Sequence, residues 1–285
     1  MNTSPFNPKT ITVDGLAVRY AESEQRDTHA LLLSPWPESL YAFEPMWAEL
    51  AASVHVVAVD LPGFGRSEGR PDVLTPRAAG AFVLRILDAL GLDTVHVVGP
   101  DVGTSASLFA AARRPDRFHS VVIGGGAASA HLDLGEPLAS WVSDADISWY
   151  EQNARQIMQM TLENIFPATP LGEHVREDYV ASYDGRRFAE SMRYVRTYPT
   201  ELKALEQALP MIQTPVRIIA PERDQVVPRA HGEFLAARLP NSTLDVVDAG
   251  HFAWEEAPKA YASLVLDWWE RHQPGDNNHA IGTER

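Results

Sequence analysis

A doubly wound α/β fold, with a mostly parallel sheet interrupted by an inserted α-helical cap, is what the sequence predicts. Three observations lead to it. Short apolar runs rich in β-branched residues recur along the chain. Helical patterns alternate with them. The rhythm lapses once, between 123 and 216, for about 90 residues where a single crossover helix needs far fewer.

Taken in order, the first pair of runs, 11–13 and 17–21, turns over Asp14-Gly15 and reads as an antiparallel hairpin. Runs at 31–33, 54–59, 95–98, 121–123, 216–220 and 244–247 read as strands. Several are apolar on both faces, as parallel strands beneath helices must be. The clearest helix spans 75–90, where Phe82, Ile86 and Leu90 recur at four-residue spacing before a stop at Gly91. Others are expected at 105–113, 230–239 and 257–271. Repeated strand–helix–strand units give the doubly wound sheet. Within the long interval, helical segments at 149–166, 173–183 and 187–198 build the cap. The expected division is a core of 1–127 and 210–273, a cap of 128–209, and a polar tail of 274–285 that frays.

Composition excludes several function classes. The chain has 285 residues with 24 Lys+Arg against 38 Asp+Glu, a net charge of −14. Nucleic acids and anionic membrane surfaces want a basic footprint, so neither is an expected partner. Hydrophobic residues make up 45%, enough to bury a core. With no cysteine there is no disulfide scaffold, no thiolate metal site and no cysteine nucleophile. The first residues lack a charged and apolar leader pattern, and no run of about 18 apolar residues occurs. A soluble, cytoplasmic protein acting on a small molecule is expected.

The segment Val95-His96-Val97-Val98-Gly99-Pro100-Asp101-Val102-Gly103-Thr104 carries the most chemistry. A strand runs into a tight turn with glycines two before and two after Asp101, and a helix follows. This is the nucleophile-elbow pattern with Asp in the central place. Such a turn strains the central residue and lifts its side chain over the carboxyl edge of the sheet. Taken alone, Asp101 could equally cap the helix that follows.

Two more segments fall at strand ends. Asp224 follows the strand after the insertion and is a candidate acid; His251 follows the last strand and is a candidate base. Either alone could be a surface turn residue or a satisfied loop histidine. Together, the chain order of nucleophile, acid and histidine is that of the α/β-hydrolases and not that of the common serine proteases.

From Thr10 to about Arg271 the chain resembles α/β-hydrolases of the epoxide hydrolase and haloalkane dehalogenase group. Ser34-Pro35-Trp36-Pro37-Glu38 is similar to that group's His-Gly-Trp-Pro-Glu, and Asp60-Leu61-Pro62-Gly63-Phe64-Gly65-Arg66-Ser67 is a further match. The resemblance implies oxyanion-hole N–H groups from Trp36 and Val102. Ser34-Pro35 in place of His-Gly removes a bracing histidine but leaves the Trp36 donor.

A carboxylate is already ionised at neutral pH and needs no base to act as a nucleophile. It suits attack on a saturated carbon, giving an alkyl ester that a His251-activated water cleaves while Asp224 holds the imidazole. Attack on an ester would give an anhydride, so esterase activity is disfavoured. The resembling dehalogenases place Trp directly after the Asp, and an Asn before the loop proline. Here Val102 and Trp36 stand there. Fluoroacetate dehalogenases carry arginines where Val102 and Ser105 stand. An epoxide is therefore the favoured substrate.

Epoxide hydrolases protonate the alkoxide with cap tyrosines. The segment 188–196 resembles their cap motif, but the acid position is Val195, and Tyr194 is rotated from it by about 100° on a helix. Tyr183, Tyr194 and Tyr198 are the candidate substrate-binding hydroxyls; as packing residues they would need no such role. The cap arginines Arg176, Arg186, Arg187, Arg193 and Arg196 read as a solvated face in preference to an anion site. No cofactor is expected, because no phosphate-loop pattern follows Gly124-Gly125-Gly126. No histidine pair has metal-ligand spacing, so no metal is expected either. Two alternatives stand beside epoxide hydrolysis: a haloalkane or haloacid dehalogenase working by the same ester, and a non-catalytic ligand-binding protein of this fold.

Overall fold

The computed structural model describes residues 6–165 and 171–273, the side chains at 164 and 165 excepted. The expected tail, 274–285, and Phe166, the expected end of a cap helix, lie outside the described residues. In chain order the elements are β1 (Lys9–Val13), β2 (Leu16–Glu22), β3 (His29–Leu33), α1 (Trp47–Ser53), β4 (His55–Val59), α2 (Pro76–Leu90), β5 (Val95–Pro100), α3 (Val102–Arg113) and β6 (Phe118–Gly124). Then come α4 (Leu138–Ser143), α5 (Ser148–Ile165), α6 (Glu173–Ser182), α7 (Arg187–Arg196) and α8 (Tyr198–Ala208). The chain returns to the sheet with β7 (Val216–Pro221), α9 (Ala230–Ala236), β8 (Ser242–Val247), α10 (Ala253–Glu256) and α11 (Pro258–Arg271).

These strands form one eight-stranded sheet in the order β1-β2-β4-β3-β5-β6-β7-β8. The first two pairings are antiparallel and the rest parallel. The central strands β4, β5 and β7 are buried along their whole length, which explains their unbroken apolar runs. The parallel strands therefore point their carboxyl ends one way, and ligands bind at that edge in such sheets. Among the described residues no helix is long and apolar enough to cross a membrane.

Two helices fall differently from the sequence pattern. The segment expected at 187–198 is two helices, because Pro199 has no N–H to continue α7 and instead sits in the first turn of α8. Helix α3 starts at Val102, three residues before the expected start, since the tight turn at Asp101 already sets its first turn.

Helix α6 is fastened to the core by a buried ion network. Asp178 accepts two bonds from the Arg19 guanidinium at 2.8 Å each, and further bonds from Ser39 Oγ and Arg66 Nε at 2.7 Å. Arg19 Nε also reaches Asp60 at 2.6 Å. Gly65 is required there: its φ is +50°, and a Cβ would lie 2.2 Å from Asp60 Cγ. The Asp60–Ser67 match thus lies in the seam between the core and α6.

The opposite edge holds a row of histidines. His29 and His55 face each other with Nδ1 atoms 3.0 Å apart, and His96, buried between Ser120 and Trp269, lies 5.2 Å from the His119 ring. Burial first, and the neighbouring histidines second, push His96 down to about 3. Its native form is therefore neutral, and the stability this gives is present above pH 6.5 and lost as pH falls toward 3. By pH 4.5 the loss is about 3 kcal/mol, or roughly 5–10 °C in Tm for a chain of this size. His96→Phe, which keeps the stacking on Trp269, should flatten the decline in Tm between pH 6.5 and 4.5; an unchanged slope would place the acid lability elsewhere.

Candidate active site

The turn after β5 gives Asp101 φ +51° and ψ −121°, a region that non-glycine residues rarely occupy, at a cost of about 1–3 kcal/mol. The neighbouring backbone holds it there. Asp101 N donates to Gly124 O at 2.9 Å, and Thr104 Oγ1 donates toward the carbonyls of Gly99 and Gly124. The turn also needs bare neighbours. A Cβ on Gly99 would lie 2.3 Å from Ser107 Oγ, and one on Gly126 would lie 2.3 Å from the Asp101 carbonyl. A Cβ on Gly103 would meet Leu33 at 3.3 Å, a much milder contact. Gly126 thus serves the close approach of the nucleophile turn, whereas Gly124 is kept bare by the Ile219 carbonyl of β7, 1.8 Å from where its Cβ would lie.

The Asp101 side chain makes no capping bond to α3. One oxygen, Oδ2, accepts the Trp36 N–H at 2.7 Å, and the adjacent Val102 N–H helps to hold the charge of the same carboxylate. The other, Oδ1, faces His251 Nε2 at 3.9 Å. His251 Nδ1 is 2.8 Å from Asp224 Oδ2, and Asp224 Oδ1 is fixed by the N–H groups of Val226 and Val227 at 2.8 Å each. This arrangement puts the imidazole proton on Nδ1 and leaves the Nε2 lone pair toward Asp101. The structure thus brings together Asp101, Asp224, His251 and the amides of Trp36 and Val102, all beyond the carboxyl ends of β3, β5, β7 and β8.

Burial dominates the electrostatics. It raises Asp101 to about 6, against the pull of His251 and the two amides, with Asp224 adding to the rise. For His251 burial opposes the charged form, but the carboxylates of Asp224 and Asp101 outweigh it, so its pKa is raised.

The three candidate tyrosines have different surroundings. Tyr183 is fully engaged: its hydroxyl donates to Glu38 O at 2.8 Å and accepts from Gly65 N at 2.9 Å, tying α6 to the loop after β3. Tyr194 donates to Val102 O at 2.8 Å and lies 3.0 Å from Ser105 Oγ, against the start of α3. Tyr198 packs edge-on to Tyr194 and its hydroxyl has no hydrogen-bond partner among the described residues. Burial raises both Tyr194 and Tyr198, and the charge of Asp101 adds to each.

Some partners had no sequence signal. Trp36 Nε1 donates to Ser191 Oγ at 2.8 Å, and its ring stacks on Phe188 and meets Trp141 edge-on. Most cap arginines are committed to partners. Arg186 pairs with Glu151 and Arg176 with Glu163 on the exposed face, as expected. Arg187 and Arg196 are part-buried instead, Arg187 on the carbonyls of Ser182, Gly65 and Ser67 and Arg196 on Asp144 O, and so leave the solvated face the sequence suggests. Among the described residues no cluster of His, Asp and Glu could hold a metal ion.

Comparison with known proteins matches residues 30–258 to the family model described as alpha/beta hydrolase fold. A Caulobacter sp. (strain K31) protein carrying a provisional carbamate hydrolase name, RutD, is 29% identical over 274 residues, covering 90% of this chain and 96% of its own. The 3-oxoadipate enol-lactonase 2 of Acinetobacter baylyi is 28% identical over 266 residues, covering 90% and 94%. Among solved structures, the haloalkane dehalogenase DatA from Agrobacterium tumefaciens C58 superposes with a TM-score of 0.81 at 21% identity, covering 94% and 97%. The epoxide hydrolase CorEH superposes at 0.80 and 20%, covering 94% and 100%. At these identities the structural likeness is one of fold.

Proposed function

The chain belongs to the α/β-hydrolase fold family and is a hydrolase of that fold, and from that premise we propose that it opens epoxides to diols through a covalent ester on Asp101. One observation carries the reading: the two oxygens of Asp101 have different surroundings. Oδ2 sits on the Trp36 amide, where an ester carbonyl oxygen would be held, while Oδ1 faces His251 without a short bond. A carboxylate so placed attacks a ring carbon with Oδ1, and the ring C–O bond breaks. Tyr198, whose hydroxyl is unengaged, protonates the alkoxide. His251 then takes a proton from water, which adds to the Asp101 carboxyl carbon, and the oxyanion forms at Oδ2 on the two amides. Collapse returns the proton from His251 to the leaving oxygen and frees the diol. The proton left on Asp101 restores Tyr198, so one water is consumed per epoxide.

The names of the sequence relatives point to carbamate and lactone chemistry. Acyl attack by a carboxylate would make a mixed anhydride, which gains nothing over the substrate, so the saturated carbon is the better target for Asp101. Halide departure wants free N–H donors beside the nucleophile; the Trp36 indole is committed to Ser191, which favours the epoxide. The test is oxygen tracing with enzyme in excess over a small epoxide panel, in ¹⁸O-water. First-turnover diol should carry no label, and the label should appear on Asp101. Label in the first-turnover diol would overturn the ester route, and halide release from a matched haloalkane panel without diol formation would replace the epoxide.

A further inference from the structure

Behind the oxyanion loop lies a second pair of carboxyls that the reaction above does not use. Glu38, two residues past Trp36, and Glu255, on the short helix α10 after His251, are both buried. Glu38 Oε2 accepts the Trp254 indole N–H at 2.9 Å, and Glu255 Oε1 accepts the Tyr179 hydroxyl of α6 at 2.8 Å. Each carboxyl acts directly on the ionisation of the other, so the two face each other in the interior. Glu38 Oε1 and Glu255 Oε2 are both buried with no hydrogen-bond partner among the described residues. Two orphaned carboxyl oxygens can satisfy each other only while a proton sits between them.

We propose that Glu38 and Glu255, sharing one proton, act as positioning residues that clamp the oxyanion loop to the histidine loop, and that losing this proton as pH rises misplaces the Trp36 amide and slows the reaction. The proposal rests on the hydrolase reading above.

The surroundings favour a retained proton. The titratable groups acting on the pair are Asp101 from the nucleophile turn, Glu256 from α10 and Tyr179 from α6; of the cations on neighbouring elements, Arg19 is bound to Asp178 and Asp60, and His251 is held by Asp224. Burial, and then the partner carboxylate, hold Glu38 well above the ordinary range, and burial raises Glu255 to about 7. The clamp is connected to the chemistry on both sides. The Glu38 carbonyl is held by Tyr183, its carboxyl by Trp254, and Trp254 lies within aromatic contact of His251. With both carboxyls ionised and no cation bonded to either, repulsion acts directly between the segments that carry Trp36 and His251.

The variant that separates positioning from bulk is Glu38→Gln. Its amide oxygen can still accept from Trp254 while its NH₂ donates to Glu255 at any pH. The unaltered enzyme should lose about tenfold in kcat between pH 7 and 9.5; Glu38→Gln should keep a flat profile over that range, and Glu255→Gln should do the same by the mirror-image bond. Infrared spectra of the unaltered protein should show a protonated buried carboxyl at pH 7 that bleaches over the same interval. A flat profile in the unaltered enzyme, an alkaline limb that persists in both Gln variants, or no such carboxyl band would overturn the clamp. Absence of turnover on every epoxide would instead fail the hydrolase reading, and the infrared measurement still decides the shared proton.

Discussion

Asp101→Asn is expected to lower turnover by about 10⁴-fold or more and, in the same protein, to raise stability at pH 8 by about 2–3 kcal/mol. The first effect follows from chemistry: an amide has no anionic oxygen to attack a ring carbon, and no neighbouring base can supply one. The second follows from burial. A carboxyl raised to about 6 in the fold, from an ordinary value near 4, destabilises the native state whenever it is ionised. That penalty is full above about pH 6 and vanishes below pH 4, where the carboxyl is protonated folded and unfolded alike. The amide avoids it and keeps an oxygen for the Trp36 N–H. The gain should therefore be large in denaturant melts at pH 8 and absent at pH 4. The same displaced titration sets an acid limb near pH 6 in kcat/KM of the unaltered enzyme, because the free enzyme must carry the anion. Turnover of the Asn variant within tenfold of the original would remove Asp101 from the nucleophile's place; stability unchanged at pH 8 would show that the carboxylate is better solvated than its burial implies.

How far the sequence could be read depends on the range of the interaction. The strands were legible because β4, β5 and β7 are buried on both faces and so spell out continuous β-branched runs. Asp101, Asp224 and His251 were legible for a related reason: Asp101 directly follows β5, and Asp224 and His251 fall in the short turns after β7 and β8, so each position is a local pattern. Helix α1 and the short α4 carried no clear period, and the break between α7 and α8 turned on Pro199, whose meaning as a helix start rather than a helix end depends on the next turn. The least legible features were the long-range polar bonds. Glu38 meets Trp254 across 216 positions, and Tyr183 meets Glu38 across 145. Nothing in a window of the sequence distinguishes Tyr183, which ties down a loop, from Tyr198, whose hydroxyl is unengaged. The hydroxyl's partner makes that distinction, and the partner is chosen by the packing of α6 and α8 on the core.

His251→Gln should separate the two half-reactions. Its expected signature is an enzyme that consumes close to one equivalent of epoxide and then stalls, with steady-state turnover down by about 10²–10⁴-fold. Ester formation needs ionised Asp101 and the Tyr198 proton but not the imidazole, whose Nε2 is 3.9 Å from Asp101 Oδ1. Ester cleavage needs a base for water, and a glutamine amide is not one. The amide is a reasonable spatial substitute, because its NH₂ can still donate to Asp224, which two backbone amides hold in place. Intact mass after exposure should rise by the mass of one epoxide, and digestion should map the adduct to the peptide carrying Asp101. This outcome is particular to a carboxylate nucleophile. A hydroxyl nucleophile would need His251 for the first step as well, so removing the imidazole would stop the reaction before any adduct formed. An adduct on Ser105, the nearby hydroxyl bonded to Tyr194, would transfer the nucleophile to that residue. Loss of both adduct and turnover, with the fold intact, would show that His251 acts before the covalent step, and the order of events at this site would have to be reversed.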